Sequence, residues 1–308
     1  IRVNRLSPKY YYYLAKARYW INNQNFPHYI KKRAGTTYIQ TWHGTPLKKM
    51  LFDIDHVHGR DEGYVERVSH AIQNWDYLIS PSPYATKAFR SAFHYKGEVL
   101  ETGYPRNDLF YLPNREEIAK QVHDRLNLPA GKKVILYAPT FRDNQTNEKN
   151  KFVFDVDLDF EKMKETLGDE YVLLLRMHMV VKNKIKIPEE YRDFVFNVSS
   201  YPDIQELYLV SDILITDYSS VMFDFANLRR PILFYTYDLE MYRDQLRGFY
   251  MDFEEEAPGP FLRTTEEVIH AILHVEEIQD RYKKRYDSFY DKYCGLEDGK
   301  ATERIVNK

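Results

Sequence analysis

The sequence contains one cysteine, Cys294, among 308 residues. A single thiol excludes a disulfide within the chain, and sparse cysteine is typical of proteins from reducing compartments. No run of about 18 apolar residues is present, so the sequence predicts no helix that spans a membrane. The composition, 44% hydrophobic and 29% charged, is that of a globular protein with a large core. The length favours about two domains.

Three common nucleotide and hydrolase motifs are also missing. Residues 295–300 read GLEDGK, which lacks the glycine spacing of a P-loop and is followed by Ala301 instead of serine or threonine. The sequence has no G-x-G-x-x-G and no G-x-S-x-G. These absences disfavour a nicotinamide-dependent enzyme and an α/β-hydrolase.

Acidic residues are absent from the first fifty positions, which contain ten Lys or Arg and therefore carry +10. The rest of the chain carries 34 basic and 46 acidic residues, or −12, so the net charge of −2 conceals a strong asymmetry. The basic segment predicts contact with something anionic. Three interpretations remain open: a phospholipid surface, a polyanionic substrate, or a basic patch that pairs with acids elsewhere in the fold.

Residues 211–236 predict a strand, a turn, a helix and a second strand. The apolar run DILIT at 212–216 is typical of a strand buried on both faces of a parallel sheet, and apolar residues then follow helical spacing until Pro231. The turn contains four polar residues, Thr216, Asp217, Ser219 and Ser220. Hydroxyl and backbone N–H groups at a helix N-terminus suit a phosphate. Ordinary helix capping by Asp217 and Ser219 explains the same residues equally well.

Other predicted strands also end in polar side chains. Those residues are His43, Ser80, Thr140, Arg176 and His178. Because strands alternate with helices along the whole chain, we predict an α/β fold with parallel sheets, in which such strand ends share one edge.

We place one Rossmann-type domain at residues 1–112, continuing before Ile1 in the full-length protein. A second occupies 113–308, its last helices packing back on the first, and the two face a central cleft.

Metal-ligand patterns are weak in this sequence. Asp155, Asp157 and Asp159 alternate, yet they precede a predicted helix, where capping is the commoner role. A second acidic and histidine-containing group lacks a matching ligand cluster for zinc: Asp53, Asp55, His56, His58 and Asp61. We therefore expect no metal site and no cofactor.

The remaining set of two histidines, arginines and a hydroxyl pair suits transfer from a diphosphate-activated donor. A helix N-terminus and arginine would hold the negative charge of the donor. One histidine would remove a proton from the acceptor hydroxyl, and the other would stabilise the leaving phosphate.

Several motifs together resemble one family, the CDP-glycerol glycerophosphotransferases of teichoic acid synthesis. The matching stretches follow the family order over nearly the whole chain: WHGTPLK at 42–48, DYLISPSPYATKAFRSAF at 76–93, ETGYPRND at 101–108, YAPTFRD at 137–143, LLLRMH at 173–178, DILITDYSSVMFDFA at 212–226, GFYMDF at 248–253 and DGKATERI at 298–305.

The resemblance implies a GT-B-like fold and a metal-independent enzyme that transfers glycerol phosphate from CDP-glycerol to a lipid-linked polyol-phosphate acceptor, releasing CMP. It also implies a cytoplasmic enzyme, peripheral on the inner face of the cell membrane and facing anionic lipid, with no nucleic-acid partner. His43 would be the base and His178 a second essential histidine. The expected donor-binding residues are Thr140, Arg142, Arg176, Thr216, Asp217, Ser219 and Ser220. The expected acceptor-side or cleft residues are Gly44, Thr45, Arg106 and Asn107.

Three other functions remain open from the sequence. A ribitol-phosphate transferase using CDP-ribitol has similar motifs, a GT-B nucleotide-sugar glycosyltransferase would share the fold, and an inactive domain could bind teichoic acid or the membrane without chemistry. The donor polyol, the acceptor polymer and the oligomeric state are not determined by these motifs.

Overall fold

The computed structural model describes residues 1–54, 63–140, 158–177, 187–239 and 248–308. The strands in these ranges form two parallel sheets. The first has four strands in the order β1-β2-β3-β4. Their bounds are β1 (Tyr19–Asn22), β2 (Thr37–Gln40), β3 (Tyr77–Ser80) and β4 (Glu98–Glu101).

The second sheet has six parallel strands in the order β10-β9-β8-β5-β6-β7. Their bounds are β5 (Lys133–Tyr137), β6 (Tyr171–Leu175), β7 (Val195–Asn197), β8 (Ile213–Thr216), β9 (Ile232–Tyr235) and β10 (Phe261–Leu262). The strand order runs in opposite directions on either side of the β5–β8 pair. Such a switch point opens a crevice beyond the carboxyl ends of the two strands, where open α/β sheets bind ligands.

Helices follow most strands and cover the sheets. In the described ranges they are α1 (Pro8–Lys16), α2 (Tyr64–Ile72), α3 (Pro83–Phe93), α4 (Arg115–Arg125), α5 (Phe160–Leu167), α6 (Ile204–Val210), α7 (Val221–Phe225), α8 (Phe253–Glu256), α9 (Thr265–Leu273), α10 (Val275–Tyr293) and α11 (Ala301–Val306). A serine and a proline begin α3: Ser82 Oγ accepts a hydrogen bond from Ala85 N at 3.2 Å, and Pro83 occupies the first helical position. Asp159 caps α5 by accepting from Lys162 N.

The central strands of the second sheet are apolar on both faces because helices cover both faces. Leu136, Leu174 and Leu214 pack into one core cluster, and their strand neighbours Leu173 and Ile215 pack into another on the opposite face. Successive strand residues point to opposite faces, so a continuous apolar run is required here. The predicted fold class, α/β with parallel sheets, is confirmed.

Two groups of contacts join the sheet units. In the first, Lys48 and Phe249 form an antiparallel bridge, flanked by Lys49 N to Gly248 O at 2.8 Å and Tyr250 N to Leu47 O at 2.9 Å. The segment after β2 and the segment before α8 are therefore hydrogen-bonded to each other through their backbones.

The second group brings the C-terminal helices against the first unit. The ring of Tyr293 at the end of α10 packs edge-on against Tyr84 of α3, with centroids 4.6 Å apart. Asp108 accepts from Ala301 N and Thr302 N at 3.0 and 2.8 Å, which satisfies the free N–H groups at the start of α11. The chain thus returns to the unit in which it began.

Among the helices of the described residues, none is both long and apolar enough to cross a membrane.

Candidate active site

His43 lies in the loop that follows β2, at the carboxyl edge of the first sheet. Its Nδ1 is 2.9 Å from the backbone carbonyl oxygen of Asn23. A carbonyl only accepts, so Nδ1 carries the proton and Nε2 keeps its lone pair. The ring of Trp42 stacks on His43 at a centroid distance of 4.2 Å. This arrangement leaves Nε2 as the nitrogen that is able to accept a proton.

The surroundings of His43 favour the neutral imidazole. Part of the ring is open to solvent, but protein groups surround it closely enough that desolvation lowers its pKa. The Asn23 carbonyl opposes this shift, and the positive charge of Arg106 adds to it. A histidine with a lowered pKa is neutral at pH 7, the form that a general base requires.

Gly44 brings the His43 loop into contact with the turn after β8. A Cβ atom at Gly44 would lie 2.6 Å from Ser220 Oγ and 3.2 Å from Ser220 Cβ. Thr45, the next residue, is buried. The two sheet units therefore touch at the point where the histidine loop meets the hydroxyl-bearing turn.

The turn after β8 divides into a buried part and a half-buried part. Thr216 Oγ1 donates to Ala138 O at 2.8 Å, and the Asp217 carboxylate accepts from Thr140 N at 2.8 and 3.0 Å. These bonds fix the loops after β5 and β8 to each other at the switch point. Ser219 and Ser220 come next and are half-buried at the start of α7.

The two serines have little local hydrogen bonding of their own in the described structure. Ser219 Oγ is 3.4 Å from Val221 N, and Ser220, at the cap position of α7, makes no side-chain cap bond. Serine at a helix start ordinarily caps it by accepting a short bond from a backbone N–H. The hydroxyls are thus placed for a ligand at least as well as for capping.

Arg106 and Asn107 lie in a 3-10 helix, Pro105–Tyr111, within the loop after β4, and contact α7 across the interface. Arg106 Nε and Nη2 donate to the two carboxylate oxygens of Asp224, each at 3.0 Å, and Asn107 Nδ2 donates to Asp224 Oδ1 at 3.1 Å. Burial disfavours the charged form of Arg106, but the Asp224 carboxylate outweighs it and raises the pKa of Arg106. This fork geometry fixes both the distance and the angle between the loop and the helix.

Glu297 joins the C-terminal segment to the same loop. It is 5% exposed and accepts from Tyr104 N at 3.0 Å and from Asn107 Nδ2 at 3.0 Å. Desolvation raises the pKa of Glu297 to about 7 and Asp224 adds to the rise, against the opposing effects of its two donors and of Arg106. A buried acid of this kind titrates near neutral pH.

We expect Glu297 to make folding stability depend on pH. Its pKa rises from 4.5 to about 7 on folding, so between these values the native state binds more protons than the unfolded state, and stability falls as pH rises. The loss is at most about 3 kcal/mol. Urea unfolding at pH values on either side of this range measures it. Glu297→Gln removes the titration and should flatten that part of the profile; an unchanged slope would contradict the assignment.

Arg176, at the end of β6, makes backbone contacts with the loop after β7. Its Nη1 donates to the carbonyl oxygens of Val198, Ser199 and Tyr201 at 2.8, 3.1 and 2.5 Å, and burial lowers the pKa of Arg176. The side chain fixes that loop relative to β6. Its predicted contact with a donor diphosphate would therefore involve the nitrogens not directed at these carbonyls.

Two predicted site residues, Arg142 and His178, lie outside the described residues. So do the candidate metal ligands Asp55, His56, His58, Asp61, Asp155 and Asp157. Among the described residues, no group of three or more His, Cys, Asp or Glu is arranged to hold a metal ion.

Sequence reasoning missed Asp224 and Glu297, which connect the predicted residues Arg106 and Asn107 to the second sheet unit. Asp224 falls among apolar residues in the run VMFDFA, where a carboxylate buried in a helix needs a positive partner. That signal was available in the sequence. The identity of the partner, 118 positions away, was not.

Two parallel sheets meeting at one crevice, with a histidine loop facing a hydroxyl-bearing turn, define a GT-B-like α/β protein. The chain belongs to the CDP-Glycerol:Poly(glycerophosphate) glycerophosphotransferase family, whose model matches residues 1–308. The resemblance drawn from the motifs is confirmed.

Known proteins of this family are similar along almost the whole chain. The teichoic acid poly(glycerol phosphate) polymerase of Bacillus subtilis (strain 168) is 48% identical over 308 residues, covering 99% of this chain and 41% of that protein. The teichoic acid glycerol-phosphate transferase of Staphylococcus aureus (strain NCTC 8325 / PS 47) is 46% identical, covering 98% and 78%. The chain thus spans less than half of one relative and most of the other.

Solved structures of the wall teichoic acid polymerase TagF share the fold. One superposes with a TM-score of 0.92 at 41% identity, covering 99% of this chain and 75% of that one. A TagF variant soaked with CDPG gives a TM-score of 0.89 at 40% identity, covering 99% and 74%. The predicted GT-B-like fold is therefore confirmed.

Proposed function

We propose that this protein transfers glycerol phosphate from CDP-glycerol to a hydroxyl of a lipid-linked teichoic acid or related polyol-phosphate acceptor. The acceptor oxygen attacks the phosphorus that bears glycerol, the bridging P–O bond breaks, CMP leaves, and the acceptor proton passes to the enzyme. Family membership over residues 1–308 supports this reaction. The observation that carries its assignment to the described crevice is the approach of Gly44 to Ser220.

His43 is assigned the role of general base. The Asn23 carbonyl holds the proton on Nδ1, so Nε2 is free to accept the acceptor proton, and the lowered pKa of His43 keeps the ring neutral before the reaction. The resulting imidazolium is stabilised through the same carbonyl. Gly44, Thr45 and the loop containing Arg106 and Asn107 lie beside it and form the proposed acceptor side.

The turn after β8 is assigned to the donor. The hydroxyls of Ser219 and Ser220, at the N-terminal end of α7, offer donors to a diphosphate. Thr216, Asp217 and Thr140 hold that turn in place. From the sequence, Arg142, Arg176 and His178 are assigned to the charge of the donor and of the leaving CMP.

Removing both serine hydroxyls, in Ser219→Ala with Ser220→Ala, should raise the KM for CDP-glycerol by about 100-fold or more and change kcat less. Each lost hydrogen bond to a charged ligand is worth about 1.5–3 kcal/mol after exchange with water. Initial rates over a range of donor concentrations give both constants. Ser91→Ala on α3, which removes a hydroxyl that bonds to Asp53, is the matched control. An unchanged KM in the double variant would exclude this turn as the diphosphate site.

The proposed reaction is tested by following CMP release with CDP-glycerol and, separately, CDP-ribitol, each with a lipid-linked acceptor. We expect turnover with CDP-glycerol, because the two relatives described above are both named for glycerol phosphate. Preferential use of CDP-ribitol would reassign the donor. Transfer of sugar from a nucleotide sugar, or acceptor binding with no CMP released from either donor, would overturn the proposal.

We further propose that the protein is cytoplasmic and attaches to the anionic inner face of the cell membrane through its first unit. Helix α1 has no buried residue, and its Tyr11, Tyr12 and Tyr13 are exposed, at 38%, 56% and 40%. Lys9 and Lys16 lie on the same helix and are exposed. Tyrosine and lysine suit the headgroup boundary, and the +10 charge of the first fifty residues adds attraction to anionic lipid.

Binding to vesicles that contain anionic lipid should weaken as salt rises, because ions screen charges at an exposed surface. Sedimentation with anionic and with neutral vesicles at increasing salt measures this. Replacing Lys9 and Lys16 by glutamine should reduce the bound fraction, whereas replacing two exposed lysines of α10, Lys283 and Lys284, should not. Binding that is equal for both vesicle types, or independent of salt, would contradict an electrostatic attachment.

A further inference from the structure

Gln40 is a fully buried polar residue three positions before His43. It ends strand β2 and is 0% exposed. Its side-chain Nε2 donates to the backbone oxygen of Gln24 at 3.0 Å, and its Oε1 accepts from Trp42 N at 2.9 Å. One amide thus connects two segments that are separate in sequence.

Both of these contacts lie next to the groups that orient His43. Gln24 directly follows Asn23, whose backbone carbonyl accepts the hydrogen bond from His43 Nδ1. Trp42 directly precedes His43 and stacks on its ring with an angle of 30° between the planes. The amide therefore fixes the hydrogen-bond acceptor on one side of the imidazole and the stacking ring on the other.

The backbone at Trp42 requires such a support. Its φ angle is 52°, a left-handed conformation that is costly for a bulky residue and persists only where surrounding groups hold it. The Trp42 side chain packs against Phe93, with centroids 4.8 Å apart. The bond from Trp42 N to Gln40 fixes the backbone end of the same residue.

We propose that Gln40 is a positioning residue for His43, holding the imidazole in its Nδ1-protonated form with Nε2 available to the crevice. The consequence for catalysis rests on the proposed function, whereas the protonation site of the ring is a property of the free protein. Gln40 itself does not reach the substrate, because both ends of its amide are bound to backbone.

Two substitutions separate this role from simple filling of the core. Gln40→Met keeps the length and loses both hydrogen bonds at every pH. In Gln40→Glu, a protonated carboxyl can donate to Gln24 O and accept from Trp42 N, but an ionised one places negative charge against that carbonyl oxygen. The nearby Tyr38 hydroxyl, 3.5 Å from Nε2, stays neutral throughout, since burial raises the pKa of Tyr38 to about 12.

We expect Gln40→Met to lower kcat by about 100-fold with little change in the donor KM, since misplacement of a catalytic group by about 1 Å has an effect of that size. In Gln40→Glu, kcat relative to wild type should fall as pH rises, because burial moves the carboxyl pKa towards neutral. Both are measured by CMP release across pH, with the folded fraction followed by circular dichroism. Gln205→Met and Gln205→Glu, at a buried glutamine of α6, are matched controls.

Nitrogen-15 NMR of histidine-labelled protein provides a readout that needs no substrate. The His43 signals, identified by their loss in His43→Gln, should show Nδ1 protonated in wild type and a mixture of the two neutral forms in Gln40→Met. If wild type releases no CMP, the proposed function fails while this experiment still tests the role of Gln40. An unchanged His43 spectrum in Gln40→Met, or a loss of kcat that only parallels loss of folded protein, would overturn the inference.

Discussion

Replacing His43 by alanine is expected to lower turnover by about 100-fold or more while leaving the fold intact, which is the scale of a lost general base. The effect should fall on kcat, because in the proposed reaction the imidazole acts on the acceptor proton in the transition state and is not among the residues assigned to the donor. Within the described part of the chain His43 makes one hydrogen bond, to Asn23 O, and its ring is partly open to solvent. Its loss should therefore cost little stability.

The measurement is CMP release at saturating CDP-glycerol, together with a thermal unfolding curve. His274→Ala is a suitable control, because the ring of His274 bonds to the carbonyl of His270 on the preceding turn of helix. The pH profile adds a second check: in wild type, activity should fall as pH drops through the lowered pKa of His43, because the protonated ring cannot accept a proton. Turnover close to wild type in His43→Ala would remove this residue from the mechanism.

The second large effect is expected at the Arg106–Asp224 pair. Arg106→Ala should destabilise the protein by about 3–5 kcal/mol, the usual cost of leaving one member of a buried ion pair alone. The side chains of Arg106 and Asp224 are 24% and 10% exposed, so Asp224 would keep its charge with little water to solvate it. Because the pair connects the loop after β4 to α7, activity should fall as well.

A double-mutant cycle separates the pair from its surroundings. Arg106→Met with Asp224→Leu removes both charges and should be more stable than either single variant, since no unpaired charge remains. Chemical unfolding of the four proteins provides the energies. The exposed pair Lys120–Asp124 is the control, and its removal should leave unfolding unchanged. Additive effects at Arg106 and Asp224 would show that the two side chains do not stabilise each other.

Much of the fold is predictable from local pattern. The apolar runs within 134–138, 171–175 and 213–216 predict buried parallel strands, because only strands covered on both faces require apolar residues at consecutive positions. Ser82-Pro83 predicts the start of α3, since a cap followed by proline satisfies the first turn of a helix locally. These signals depend on neighbours in sequence.

The position of polar groups at the carboxyl ends of strands is predictable for the same reason. Parallel strands all point the same way, so residues that follow them lie at the carboxyl edge of the sheet. The structure places His43, Thr140 and Thr216 at such edges. What these groups do there is less predictable. Thr216 and Asp217 bond to the neighbouring loop, whereas Ser219 and Ser220 show no such bond among the described residues. Only the packing of two adjacent loops separates the two cases.

By itself the sequence determined the fold class, the family and the candidate histidine, arginine and hydroxyl side chains, because these depend on periodicity and on motifs of adjacent residues. The tertiary structure alone decided which distant groups meet: Gly44 with Ser220, Arg106 with Asp224, and Gln40 with Gln24. Two of these contacts, Gln40 with Gln24 and Arg106 with Asp224, join residues 16 and 118 positions apart. Their geometry follows from how whole strands and helices pack, which no local pattern encodes.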